Sequence, residues 1–191
     1  MNKSRIEAFS DGVIAIIITI MVLELKVPAG NDWFSLSSMW HVFLGYVLSF
    51  WMLGIYWNNH HHLFQAVKHV NGRILWANLH LLFWLSLVPF VTGWMGESNF
   101  STVPVALYGI VLLLAGMAYF ILVRTLVSRH GESSVLAITL GRDVKGIAAL
   151  TLYSAAVPLA FLNVWLAFSL YVAVAVLYLI PHRQIEKSLH N

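Results

Sequence analysis

The sequence predicts an all-helical membrane protein with six transmembrane helices, and its composition is the first of three observations that carry this prediction. Hydrophobic residues make up 60% of the 191 positions and charged residues only 10%. A soluble domain is about 45–50% apolar and about 25% charged, so the composition argues against a soluble enzyme. The same apolar content excludes disorder. The lack of Cys excludes disulfides, thiolate metal sites and a catalytic cysteine.

The second observation is the length of the apolar segments. A bilayer core is about 30 Å thick, and about 20 helical residues cross it. Turn signals at 28–32 and 96–99 separate such segments. The block 146–180 is long enough for two short helices that turn at Leu162-Asn163. The predicted spans, within one domain covering residues 1–191, are 9–27, 40–67, 74–95, 104–127, 146–161 and 164–180.

The third observation is the placement of the basic residues, because cytoplasmic loops collect Lys and Arg near span ends. With six spans, ten of the eleven basic residues share one side: Lys3, Arg5, Lys68, Arg73, Arg124, Arg129, Arg142, Lys145, Arg183 and Lys187. The opposite side carries only Lys26. This asymmetry predicts that both termini are cytoplasmic. It also leaves no basic patch for a nucleic acid.

The first span has an apolar face and polar residues away from it. At about 100° per residue, the apolar face is formed by Gly12, Ile16, Thr19, Ile20, Leu23 and Val27. One interpretation places this face on a symmetry axis and packs Ser10 and Asp11 against neighbouring helices, with Arg5 as the cation that pairs with Asp11. In the alternative, Ser10 and Asp11 only satisfy the open amides at the helix start.

Polar side chains also cluster near the cytoplasmic ends of the second and third spans, in Trp57-Asn58-Asn59-His60-His61-His62 and Trp76-Ala77-Asn78-Leu79-His80. From there they can form hydrogen bonds with Ser10 and Asp11 across helices. His60 to His62 can also make the protein sensitive to pH. A metal pair on one helix needs i, i+3 or i, i+4 spacing, which three adjacent histidines lack.

Two other classes of protein compete with a purely structural role for these residues. A haem held by His61 and His80 would make the chain a membrane enzyme built on His60, His61, His62 and His80. A secondary transporter usually shows repeated halves and interrupted helices with midplane charge. The sequence shows neither feature clearly.

The start of the first span, Arg5-x-x-x-Phe9-Ser10-Asp11, together with six spans and the polar second and third spans, resembles the TMEM175 family of lysosomal and prokaryotic potassium channels. Animal members carry two six-span repeats, whereas this chain has one Phe-Ser-Asp motif and resembles a prokaryotic single-repeat member. The resemblance implies a homotetramer in the prokaryotic inner membrane that conducts potassium and leaks other monovalent cations. It implies no enzymatic activity and no cofactor besides permeant K⁺.

The resemblance also implies roles for individual residues. The first span lines a central pore, with its constriction at Ile16, Ile20 and Leu23 and a hydroxyl that favours potassium at Thr19. A ring of large apolar residues can gate a pore by dewetting. The family's interhelical hydrogen-bond network falls on these residues: Arg5, Phe9, Ser10 and Asp11, with Trp57, His61, Asn78 and His80 as expected partners.

Overall fold

The computed structural model of the chain describes residues 3–67, 69–130 and 144–179. The helices are α1 (Lys3–Ile20), α2 (Trp33–Ser37), α3 (Trp40–Gln65), α4 (Gly72–Ser86), α5 (Val88–Glu97), α6 (Thr102–His130), α7 (Val144–Ala160) and α8 (Val164–Leu179). A 3-10 helix, Met21–Glu24, continues α1. The predicted all-helical fold is confirmed. The basic residues Lys68, Arg142, Arg183 and Lys187 lie outside the described residues.

The helices differ in their capacity to cross a membrane, judged by length and composition. In the described part of the chain, four helical segments are long and apolar enough to cross a membrane: Lys3–Glu24, Trp40–Gln65, Gly72–Glu97 and Thr102–Ser128. Two shorter apolar helices follow, Val144–Ala160 and Val164–Leu179. The turn between them lies where the sequence placed it, and the Asn163 Oδ1 accepts a 2.9 Å hydrogen bond from the backbone N–H of Trp165. Six crossings of the membrane stay a prediction.

The first helical segment ends earlier than predicted. It stops at Glu24, and the backbone N–H of Lys26 donates to the Glu24 carbonyl in a tight turn. Pro28 disfavours helical geometry at the residue before it, so Val27 lies outside the helix and is 91% exposed. The prediction that Val27 extends the apolar helical face is therefore wrong.

The third predicted span consists of two helices, α4 and α5, which meet at Leu87. Pro89 lies in the first turn of α5, where its missing N–H breaks no helical hydrogen bond. The short helix α2 precedes α3 and was not predicted. The Asp32 carboxylate caps it by accepting a 2.8 Å hydrogen bond from the Ser35 N–H.

Small residues let the helices approach closely. α6 packs against α4, α5, α7 and α8, while α3 packs against α5 and α1 packs against α3 and α4. A Cβ built at Gly96 of α5 would lie 2.8 Å from the Cα of Val42 in α3. A Cβ at Gly109 of α6 would overlap the hydroxyl of Tyr171 in α8. Such contacts replace the hydrophobic effect as the force that holds helices together in a bilayer.

Candidate pore helix and interhelical polar network

Helix α1 and the 3-10 turn that follows have one covered and one uncovered face. The covered face packs against α3 and α4 and consists of Ile6, Ser10, Ile14, Ile17 and Met21. The uncovered face contains Phe9, Gly12, Ile16, Thr19, Ile20 and Leu23. Ile16 is 58% exposed and Leu23 75%. The structure therefore brings the predicted constriction residues together on one face, whereas their role in conduction stays a prediction.

The side chain of Thr19 places a hydroxyl group on this uncovered face. Its oxygen lies 3.0 Å from both the Ala15 and the Ile16 carbonyl oxygens and donates its proton to them. A hydroxyl oxygen has two acceptor lone pairs besides its single proton. With the proton held by the helix backbone, these lone pairs are free to face a cation.

A buried chain of hydrogen bonds joins α1, α4 and α3 on the opposite side. The Ser10 hydroxyl donates to the Ile6 carbonyl at 2.8 Å and accepts a 2.9 Å hydrogen bond from the Asn78 side-chain amide. The Asn78 Oδ1 lies 2.8 Å from the His60 Nε2. Because an amide oxygen only accepts, the His60 Nε2 carries the proton. Ser10, Asn78 and His60 are all buried, and each has a partner.

Asp11 is held by a second contact with α3. The Trp57 Nε1–H donates to the Asp11 Oδ1 at 3.0 Å, and the Trp57 ring stacks on His61. Arg5 is exposed. The ion pairs found among the described residues are Lys3–Glu7 and Lys26–Glu97, so the structure replaces the predicted Arg5–Asp11 pair with an indole donor.

Two of the expected partners bond within their own helices. The His61 Nε2 lies 2.8 Å from the Gln65 Nε2, and the Trp84 Nε1–H donates to the His80 Nε2 at 2.9 Å. His60, and not the expected His61, is the histidine that bonds to Asn78. Adjacent helical residues point about 100° apart, and of the three histidines only His60 is buried. The rotation of α3 about its axis decides this choice. In the sequence, the feature that could have indicated His60 was its i, i+3 spacing from Trp57, which places both side chains on one face of α3.

The same contacts bear on the metal and haem hypotheses. Over the ranges that the structure describes, no group of three or more His, Asp or Glu side chains is placed to hold a metal ion. His61 and His80, the residues of the haem hypothesis, each bond to a neighbour one turn away. Their geometry therefore offers that hypothesis no support.

A bundle of apolar helices with membrane-spanning lengths and a polar network between them defines an integral membrane protein. Residues 5–89 match the family described as "Endosomal/lysosomal potassium channel TMEM175". A potassium channel of Chryseobacterium sp. (strain P1-3) is 53% identical over 189 residues, covering 99% of this chain and 98% of the relative. The chain belongs to the TMEM175 family, as the resemblance of its sequence indicated.

A solved structure supports the same conclusion. The crystal structure of a lysosomal potassium-selective channel TMEM175 homolog from Chamaesiphon minutus matches with a TM-score of 0.80 and 29% identity. The match covers 93% of this chain and 96% of that one. A curated potassium channel from this organism is 31% identical over 195 residues, 93% of either chain. The family match at 5–89 contains every member of the buried network described above.

Proposed function

We propose that the chain forms a potassium-selective channel in the prokaryotic cell membrane, as a homotetramer in which four α1 helices surround a central pore. The observation that carries this proposal is the uncovered apolar face of α1, with Ile16, Ile20 and Leu23 directed away from the rest of the subunit. Relatives named potassium channels extend over nearly the whole chain, which supports conduction rather than enzymatic activity. The proposal includes no resident metal or cofactor.

The constriction is formed by rings of apolar side chains. Four copies of Ile16 around an axis make a dry ring that ions cross only when it widens enough to hold water, which is gating by dewetting. Four Thr19 hydroxyls lie next to this ring and present oxygen lone pairs to a partly dehydrated ion. Potassium sheds its water more readily than sodium, so we attribute the potassium preference to this step.

The buried network holds α1 at the rotation that this pore requires. Ser10 faces inward through Asn78, and Asp11 is tied to α3 through Trp57. Residues six positions apart on a helix point about 120° apart. Fixing Ser10 toward α4 therefore turns Ile16 away from the bundle. In this proposal Ser10, Asp11 and their partners position the pore helix and do not contact the ion.

Recording from the purified protein in planar bilayers with potassium on one side and sodium on the other tests the proposal. We expect unitary currents whose reversal potential is displaced from zero in the direction set by a higher permeability to potassium than to sodium, and a tetrameric mass for the protein in its detergent micelle. Flux that saturates at low turnover without unitary currents would instead indicate a transporter. A haem absorption band in the purified protein would favour the membrane enzyme.

A further inference from the structure

The outer end of the candidate pore helix changes its winding. After Ile20, the chain continues as the 3-10 helix Met21–Glu24, in which residues three apart lie above one another. Glu24 therefore lies over the buried Met21, on the face toward α5, while Leu23 lies over Ile20 on the uncovered face. One side of this 3-10 turn therefore contacts α5, and its other side forms the end of the uncovered face.

Two contacts attach this turn to α5. The Glu24 carboxylate lies against Gly93, where a Cβ would come within 2.6 Å of the Glu24 Oε2. Lys26 forms an ion pair with Glu97, the last residue of α5. The hydrogen bond to Glu97 and the negative charges of Glu97 and Glu24 raise the pKa of Lys26 above its ordinary value, so Lys26 carries its charge at neutral pH.

Helix α5, which receives these contacts, is itself packed tightly against α3. Gly96 brings it to the backbone of α3 near Val42, and the Thr92 hydroxyl shares a buried 2.7 Å hydrogen bond with Ser49 of α3. Thr92 also donates to the Val88 carbonyl at 2.7 Å. The end of α1 is thus attached to a helix that is itself packed closely against α3.

We propose that the Lys26–Glu97 ion pair and the Glu24–Gly93 contact position the outer end of the pore helix, and so set how often the channel is open. This inference rests on the proposed function. Lys26, Glu24 and Glu97 act here by holding the Leu23 turn against α5. They do not bind the permeant ion.

Neutralising each partner separates this mechanism from simple attraction of cations at the pore mouth. If the pair is a mechanical link, Lys26→Gln and Glu97→Gln change the open probability in the same direction, by about two- to fivefold, which is the size of effect expected for an exposed ion pair. The charge swap Lys26→Glu with Glu97→Lys restores it. If the charges only attract cations, Lys26→Gln raises the single-channel current, Glu97→Gln lowers it, and neither variant changes the open probability.

Three further variants test this interpretation. Gly93→Ala displaces the Glu24 carboxylate without changing any charge, and we expect it to shift the open probability in the same direction as Lys26→Gln. Gly54→Ala is its control, because a Cβ there meets nothing within 4 Å. Glu7→Gln removes a carboxylate that pairs with Lys3 within α1, and we expect no change.

Hydrogen exchange gives a readout that does not depend on conduction. The backbone amides of residues 21–26 exchange about two- to fivefold faster in Lys26→Gln and Gly93→Ala, and at the wild-type rate in Glu7→Gln. Unchanged exchange in the first two variants overturns the link even if the wild type conducts. If these two variants exchange faster but the wild-type protein shows no unitary currents, the attachment of the turn to α5 is retained, whereas its role in gating and the proposed function are both overturned.

Discussion

The side-chain amide of Asn78 donates a 2.9 Å hydrogen bond to the hydroxyl of Ser10, and both residues are completely buried between α4 and α1. The other end of the same amide bonds to His60 of α3. One side chain therefore satisfies polar groups on two neighbouring helices. This bridge fixes the face that α1 presents to the bundle.

Replacing Asn78 with alanine should lower the free energy of unfolding by about 1–3 kcal/mol, because the buried His60 N–H and a lone pair of Ser10 lose their partner. Thermal unfolding in detergent, followed by tryptophan fluorescence, measures the change. Asn58→Ala, at an exposed position of α3, should stay within about 0.5 kcal/mol of the wild type. Equal stability of the two variants would contradict the bridge.

The Trp57–Asp11 contact should appear as a coupling energy in a double-mutant cycle. Trp57→Phe keeps most of the ring and removes the N–H, and Asp11→Ala removes its acceptor. We expect their effects on the unfolding free energy to be non-additive by about 1 kcal/mol, the usual net value of one hydrogen bond. Trp76→Phe, at an exposed site on α4, should be additive with Asp11→Ala.

A polar side chain at Ile16 should wet the constriction. We expect Ile16→Asn to raise the basal potassium current about tenfold, which corresponds to roughly 1.4 kcal/mol off the barrier. Ile147 of α7 is exposed to the same degree, 60% against 58%, so Ile147→Asn is the matched control and should leave the current unchanged. An increase of the current in both variants, or in neither, would contradict the placement of Ile16 at the constriction.

Thr19→Ala should lower the potassium-to-sodium permeability ratio by about two- to fivefold, which corresponds to a preference for potassium of roughly 0.4–1 kcal/mol summed over the four hydroxyls. Reversal potentials under bi-ionic conditions give the ratio. Thr151 of α7 also donates to the carbonyl four residues earlier, at 2.9 Å. Thr151→Ala is thus a control with the same local hydrogen bond, and its ratio should equal that of the wild type.

The close crossing of α6 and α8 at Gly109 should tolerate no side chain. Gly109→Ala would displace the Tyr171 hydroxyl, which donates a 3.0 Å hydrogen bond to the Val105 carbonyl. We expect a loss of about 1–3 kcal/mol of stability from this overpacking. Gly54→Ala, which fills open space, should be neutral or slightly stabilising. A stable Gly109→Ala variant would mean that the two helices can move apart at little cost.

The membrane class and the helical segments followed from the sequence alone, because apolar composition and segment length depend on the bilayer and not on which helices meet. The apolar face of the first span was also readable, since the residues of one helix keep fixed angular separations. Ile16, Thr19, Ile20 and Leu23 accordingly share the uncovered face. Asn78 and Trp57 were expected as partners of the Phe-Ser-Asp motif, and both contact it.

Only the tertiary structure decided which histidine joins the network, because His60, His61 and His62 differ only in the direction they point from α3. It likewise replaced Arg5 with Trp57 as the partner of Asp11. The attachment of Lys26 to Glu97 joins residues 71 positions apart, and no local pattern marks it. The sequence of each helix defines which polar groups it carries. The rotation and packing of the helices decide which of those groups come within hydrogen-bond distance.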